Sequence, residues 1–148
     1  MIATLLTAVK SVAPTLTHII PSEGREGVTA VTSLGDEVFV VRRRGEQVEV
    51  YDTGTCTLQR HITLHGLRNS CGLAVCAQYR CLYASDPQKS SVHRVKLSGS
   101  NAVKKWSVAD GPRGLSVNKA HNVVVTCCVA NKLQEYTVHG TLMREISL

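Results

Sequence analysis

Aromatic residues are scarce in this chain: one Phe, one Trp and four Tyr in 148 residues. A core must then be assembled from Val, Leu and Ile, and the β-branched members of that set favour strands over helices. No stretch approaches the roughly 18 consecutive apolar residues of a membrane-spanning helix. Helical periodicity is missing apart from a short stretch in Met1 to Lys10. HExxH, GxSxG and phosphate-loop patterns are absent too, which removes the commonest signatures of hydrolases and nucleotide-binding enzymes. Met1 to Ala13 carries no basic segment ahead of its apolar stretch, and Lys10 follows that stretch, so the segment fits a secretory leader poorly. A cytoplasmic location is expected.

What is present belongs to an ordinary globular domain. Apolar residues make up 43% of the chain, and its length suits a single domain spanning residues 1–148. The net charge of +6, from 17 basic and 11 acidic residues, favours anionic partners without specifying nucleic acid. Six cysteines (Cys56, Cys71, Cys76, Cys81, Cys127 and Cys128) raise the question of disulfides or zinc. Disulfide-dense domains are loop-rich, whereas these cysteines fall mostly within apolar, strand-like runs. Cys71, Cys76 and Cys81 are five apart, a spacing foreign to zinc sites, and no paired histidines follow. They read as small hydrophobes in a reducing compartment. Neither a metal nor a cofactor is expected.

The sequence repeats itself. Three segments align, Gly27 to Leu64, Cys71 to Val108 and Pro112 to Leu148. Each opens with a short alternating run, at Val28–Val31, Gly72–Val75 and Gly114–Val117. Turns follow at Leu34-Gly35-Asp36, Ala77-Gln78-Tyr79 and Lys119-Ala120-His121. Second runs come at Val38–Val41, Leu82–Ser85 and Val123–Thr126, and third runs at Val48–Tyr51, Val92–Val95 and Leu133–Tyr136. Glycine-containing turns at Gly54, Gly99 and Gly140 lead into fourth runs beginning at Leu58, Val103 and Leu142. Val38, Leu82 and Val123 are 44 and 41 positions apart, as are Tyr51, Val95 and Tyr136. Four short strands repeating every 40 to 45 residues is the spacing of a propeller blade. The expected fold is all-β, a partial β-propeller of three four-stranded antiparallel blades at residues 27–68, 69–110 and 111–148.

The third unit, from Pro112-Arg113-Gly114-Leu115-Ser116-Val117 through Asn122–Thr126 and Asn131–Tyr136 to Gly140–Ile146, resembles an NHL repeat from end to end. In the second unit, Leu82-Tyr83-Ala84-Ser85-Asp86 suits the same family's second strand. The first departs from it, because Arg42-Arg43-Arg44 stands where the family usually has Asp. The resemblance implies a platform that binds protein or RNA; a minority of six-bladed relatives are enzymes.

Residues 1–26 precede the first unit, and within them Thr15–Ile20 matches Thr57–Ile62, an outer strand. It reads as the fourth strand of a blade that this chain lacks, available to close a ring. Propellers have 4 to 8 blades. Two copies of this chain would supply six, so a homodimer that completes a ring is expected.

Catalytic and metal sites find little support. The six histidines do not fall at matching blade positions, as a ring of channel ligands would, and a turn or solvent-facing imidazole is expected for each. Asp86 and Asp110 precede Pro87 and Gly111 and read as turn formers. The basic residues are more informative. In a propeller, the loops joining fourth to first strands and second to third strands share one face. Those loops hold Arg25, Arg42, Arg43, Arg44, Arg68, Lys89, Arg113 and Lys132. The planar guanidinium fork suits carboxylate and phosphate. The expected binding residues are therefore Arg42, Arg43, Arg44, Arg68, Lys89, Arg113 and Lys132, and the expected role is a non-enzymatic scaffold for an acidic peptide or protein. Single-stranded RNA on the same face is the alternative, although the aromatic platforms on which RNA bases stack are not evident. A six-bladed lactonase or lyase is a third reading.

Overall fold

The structure, a computed structural model, describes residues 26–148. The expected strand at Thr15–Ile20 lies outside the described residues. Twelve strands and no helix occur among those described. They form three sheets, each a four-stranded antiparallel meander. Blade 1 comprises β1 (Val28–Leu34), β2 (Glu37–Arg42), β3 (Gln47–Asp52) and β4 (Leu58–Thr63). Blade 2 comprises β5 (Leu73–Cys76), β6 (Cys81–Asp86), β7 (Ser91–Lys96) and β8 (Val103–Ser107). Blade 3 comprises β9 (Pro112–Val117), β10 (Val123–Cys127), β11 (Lys132–Tyr136) and β12 (Leu142–Ser147). Blade 3 thus carries its own fourth strand.

Period-two alternation sorts each blade's side chains into a face towards the blade before it and a face towards the blade after it. Phe39, Val41, Val48, Val50 and Ile62 of blade 1 meet Leu73, Leu82, Ala84 and Val95 of blade 2 in one dry core. Tyr83, Val92 and Cys81 of blade 2 meet Val123, Val125, Cys127 and Tyr136 of blade 3 in a second. Polar side chains pin this second contact. Gln134 Oε1 accepts the Ala109 backbone N–H at 2.8 Å and the Tyr136 hydroxyl at 2.8 Å. Trp106 lies edge-on to Tyr83, with ring centroids 6.1 Å apart, and its ring covers Gly140, where a β-carbon would come within 2.7 Å of it.

Alternation predicts Val31, Val38, Val40, Val75, Leu82, Val117, Val123, Val125 and Leu133 in blade interfaces. Leu82, Val123 and Val125 are buried there and Val75 and Val117 pack half-buried against the same clusters, whereas Val38, Val40 and Leu133 belong to neither. Val31 is a correction, at 61% exposed. It pairs with Val40 on the face of blade 1 turned away from blade 2. Alternation identifies two faces but not which of them finds a neighbour. Cys76, Cys81 and Cys127 lie in the blade 2–blade 3 core, Cys56 and Cys71 are half-buried, and Cys128 is exposed.

Candidate functional site

The loops at one end of the blades enclose a basic cleft. The β2–β3 loop contributes Arg43 and Arg44, the β4–β5 connection Asn69 and Cys71, the β6–β7 loop Pro87 and Gln88, and β9 contributes Arg113. With Thr29 they line a cavity of about 370 Å³, and no carboxylate is among its described lining residues. A second lobe, of about 310 Å³, shares Arg44, Asn69 and Gln88 with the first and adds Arg68 and Glu46. Arg43, Arg44, Arg68 and Arg113 are all exposed.

Local geometry explains why these side chains converge. Arg44 and Asn69 both adopt left-handed backbone conformations, at φ 59° and 53°. The Arg44 N–H donates to Asn69 Oδ1 at 3.2 Å, which ties the two loops together. Arg43 N–H donates to the Gly27 carbonyl at 2.9 Å. Arg113 is set by the blade contact itself, because Ser85 Oγ donates to its carbonyl at 2.9 Å.

Several acceptors around the cleft are already used. Thr29 Oγ1 donates to the Ser70 carbonyl at 2.6 Å, and the Cys71 thiol donates to the Asn69 carbonyl at 3.2 Å. With Asn69 Oδ1 also engaged, that side chain has its amide N–H groups left to offer. The cleft is therefore dominated by donors, and its only ion pair among the described residues is the long Arg44–Glu26 contact of 3.9 Å between exposed groups. Such a pair holds neither partner firmly.

Not every expected binding residue arrives there. Arg42, adjacent in sequence to Arg43, is the last residue of β2 and is buried. Its Nε donates to both Glu49 carboxylate oxygens, at 3.1 and 3.2 Å, while the Tyr51 hydroxyl donates to Glu49 Oε2 at 2.7 Å. This is an ion pair on the free side of blade 1, and it sets Arg42, which was expected among the binding residues, outside the lining of the arginine cleft. Lys132 is engaged by Glu145 at 2.6 Å, away from the cleft lining. Lys89 lies beside the cleft with its ammonium over Gly66. Placement of Arg25 lies outside the described residues.

One arrangement was not anticipated. His93 is buried, with its Nε2 3.6 Å from Asp86 Oδ2, also buried. This corrects the expectation of a solvent-facing imidazole. Asp86 Oδ1 accepts the Lys89 backbone N–H at 3.2 Å, the turn-forming role expected of it, and so supports the loop that presents Pro87 and Gln88. The signal in the sequence was the place of His93 in the Val92–Val95 strand, where an alternating side chain points into one face or the other. Burial lowers the His93 pKa below its ordinary value; Asp86 opposes that effect, and Lys105 and Lys89 add to it. Asp110 accepts Ser90 Oγ at 2.9 Å. Among the described residues no three His, Cys, Asp or Glu side chains group so as to hold a metal ion.

Fold and site together define a partial β-propeller with an arginine-lined cleft on its loop face. Solved structures agree on the fold. A hydrazine synthase from Kuenenia stuttgartiensis is similar at 20% identity and a TM-score of 0.75, over 89% of this chain and 38% of that one. Virginiamycin B lyase from Staphylococcus aureus is 13% identical, with a TM-score of 0.71, over 84% and 42%. The WD40 repeats of RRP9 are 10% identical, with a TM-score of 0.69, over 80% and 38%. This chain spans about two fifths of the length of each. At such identities the likeness extends to the fold alone. No protein-family model matches the chain, and no curated protein matches it.

Proposed function

We propose that this chain is a non-enzymatic binding scaffold whose cleft holds an acidic segment of a partner protein. The observation that carries the reading is the lobe lined by Arg43, Arg44 and Arg113, with no carboxylate among its described lining residues. Charge-assisted hydrogen bonds to carboxylate are roughly twice as strong as neutral ones. They are also favoured when the donors stand on loops already fixed by backbone bonds, because less freedom is lost on binding. The NHL character of the Pro112–Leu148 repeat fits a platform of this kind, and so does the +6 net charge.

Single-stranded RNA is the second reading, since arginine suits phosphate as well as carboxylate. Against it, no aromatic side chain is among the described residues lining either lobe to stack a base. An enzyme of the lactonase or lyase type draws support only from a shared fold, and stoichiometric metal in the purified protein would be needed to advance it. Fluorescence anisotropy with an Asp/Glu-rich peptide and with a short single-stranded RNA, each over a range of salt, separates the first two readings. The peptide is expected to bind and the RNA to bind more weakly. Tighter RNA binding, with a logarithmic salt slope of about −0.7 per phosphate contact, would favour the second reading. Binding of neither would remove both.

A further inference from the structure

The two lobes differ in the charged residues that line them. The first is lined by Arg43, Arg44 and Arg113 with no acidic residue among the described lining residues, Glu26 reaching Arg44 only through the long, exposed contact of 3.9 Å; the second pairs Arg44 and Arg68 with Glu46. We propose that the three-arginine lobe recognises the phosphate of a phosphorylated side chain on the partner protein. This rests on the scaffold reading and names the group that the site selects.

Charge balance is the first reason. A single carboxylate brings one negative charge and two oxygens to a lobe with three guanidinium groups. A phosphorylated side chain brings about −1.5 to −2 charges and three acceptor oxygens at neutral pH. The second reason is the supply of donors. Asn69 Oδ1 and the carbonyls of Asn69 and Ser70 each accept a hydrogen bond from within the protein. A ligand made of acceptors therefore meets little competition. Three guanidiniums from two separate chain segments can surround a tetrahedral group, whereas a flat carboxylate presents only two directions to them.

The third reason separates a phosphorylated protein from RNA. Glu46 stands in the adjoining lobe, so the next phosphate of a nucleic-acid backbone would approach a carboxylate. An isolated phosphate on a polypeptide avoids that repulsion.

The test is a titration of the isotopically labelled full chain with inorganic phosphate, O-phosphoserine and acetate at matched ionic strength, followed through the arginine Nε–H signals in NMR spectra. Phosphate and O-phosphoserine should shift the Arg43, Arg44 and Arg113 signals with an affinity about tenfold or more above that of acetate, as expected when charge-assisted bonds are added. Their affinity should rise between about pH 5 and pH 7.5, as the second proton leaves near pH 6. Arg113→Gln should remove the preference while leaving the melting temperature unchanged. Equal affinities for phosphate and acetate at these residues would overturn the phosphate inference and leave the acidic-segment reading standing. Failure of every anion to move these signals would overturn both. A short single-stranded RNA that displaces phosphate and outcompetes a phosphoserine peptide would overturn the protein as its source.

Discussion

A β-carbon on Gly72 would lie 2.0 Å from the carbonyl oxygen of Arg113. Blade 3 therefore reaches its place against blade 2 only because residue 72 has no side chain, and Arg113 reaches the cleft by the same contact. Backbone stands in the way, so no side-chain rotation relieves a clash there. Gly72→Ala is expected to cost about 1–3 kcal/mol, the usual range for overpacking, and to weaken anion binding by moving Arg113. Gly27→Ala, with nothing within 4 Å of the added carbon, serves as the control. Denaturant unfolding measures the first effect, and equal stability of the two variants would contradict this account of the blade junction.

Arg42 and Arg43 are neighbours in sequence and are expected to respond oppositely. Arg42→Met leaves Glu49 buried without its guanidinium partner, and removal of one member of a buried pair costs about 3–5 kcal/mol. Arg43→Gln alters an exposed side chain and should change stability by less than about 0.5 kcal/mol while reducing anion affinity. Urea midpoints and binding curves on the two variants distinguish the roles. Loss of affinity without loss of stability in Arg42→Met would return that residue to the binding set.

Arg44 sits in the left-handed region, which costs a non-glycine residue about 1–2 kcal/mol. Arg44→Gly relieves that strain, offset by about 0.5–1 kcal/mol of extra unfolded-chain entropy. The variant should be as stable as the parent or up to about 1 kcal/mol more stable, yet bind anions less well. Thermal unfolding alongside a binding titration checks both halves; a clear destabilisation would mean that the side chain holds the loop together.

His93 is expected to make the fold sensitive to mild acid. Its pKa is lower in the folded chain than the ordinary value of 6.5, chiefly through burial. The unfolded chain consequently takes up the proton first, and stability rises with pH across that interval. The contribution of His93 is complete above about pH 6.5 and is lost as the pH falls through the folded-state value. Glu135 and Glu145, whose pKa values are lowered by hydrogen bonds from Asn122 and Lys132 respectively, contribute stability that is lost only as the pH falls from the ordinary carboxylate value of 4.5 downward. His93→Gln should flatten the melting temperature between pH 6.5 and the onset of carboxylate titration. An unchanged slope would place the acid sensitivity elsewhere.

The free side of blade 3 carries Leu133, half-buried, and Ile146, 48% exposed, which pair across β11 and β12. Apolar residues presented together in this way are features of contact surfaces. Native mass spectrometry is expected to find a homodimer of the 16.0 kDa chain, dissociated by Ile146→Asp. A well-folded monomer would exclude ring completion by a second copy.

The blades were legible in the sequence because alternation and glycine-bearing turns recur at matching positions, as in Tyr51, Val95 and Tyr136. The cleft was half legible. Arg43, Arg44, Arg68 and Arg113 follow from loop placement in the repeat, but Arg42 was assigned to a loop when its alternation with Val38 and Val40 already marked it as strand. Glu49, directly across the ladder from Val40, is its partner on the neighbouring strand. The His93–Asp86 contact was not legible, since both residues sit on ordinary repeat positions and only packing brings them together.

The proposed binding belongs to a particular cleft and not to a generally basic surface. Two double variants decide it, Arg43→Gln with Arg113→Gln and Lys104→Gln with Lys119→Gln, each removing two positive charges from the +6 chain. Their affinities for the same Asp/Glu-rich peptide should be compared at physiological salt. The arginine pair should lose about 10- to 100-fold, the equivalent of one or two charge-assisted bonds, and the lysine pair no more than about twofold. Equal losses in the two variants would show that the peptide responds to net charge alone and would contradict the site.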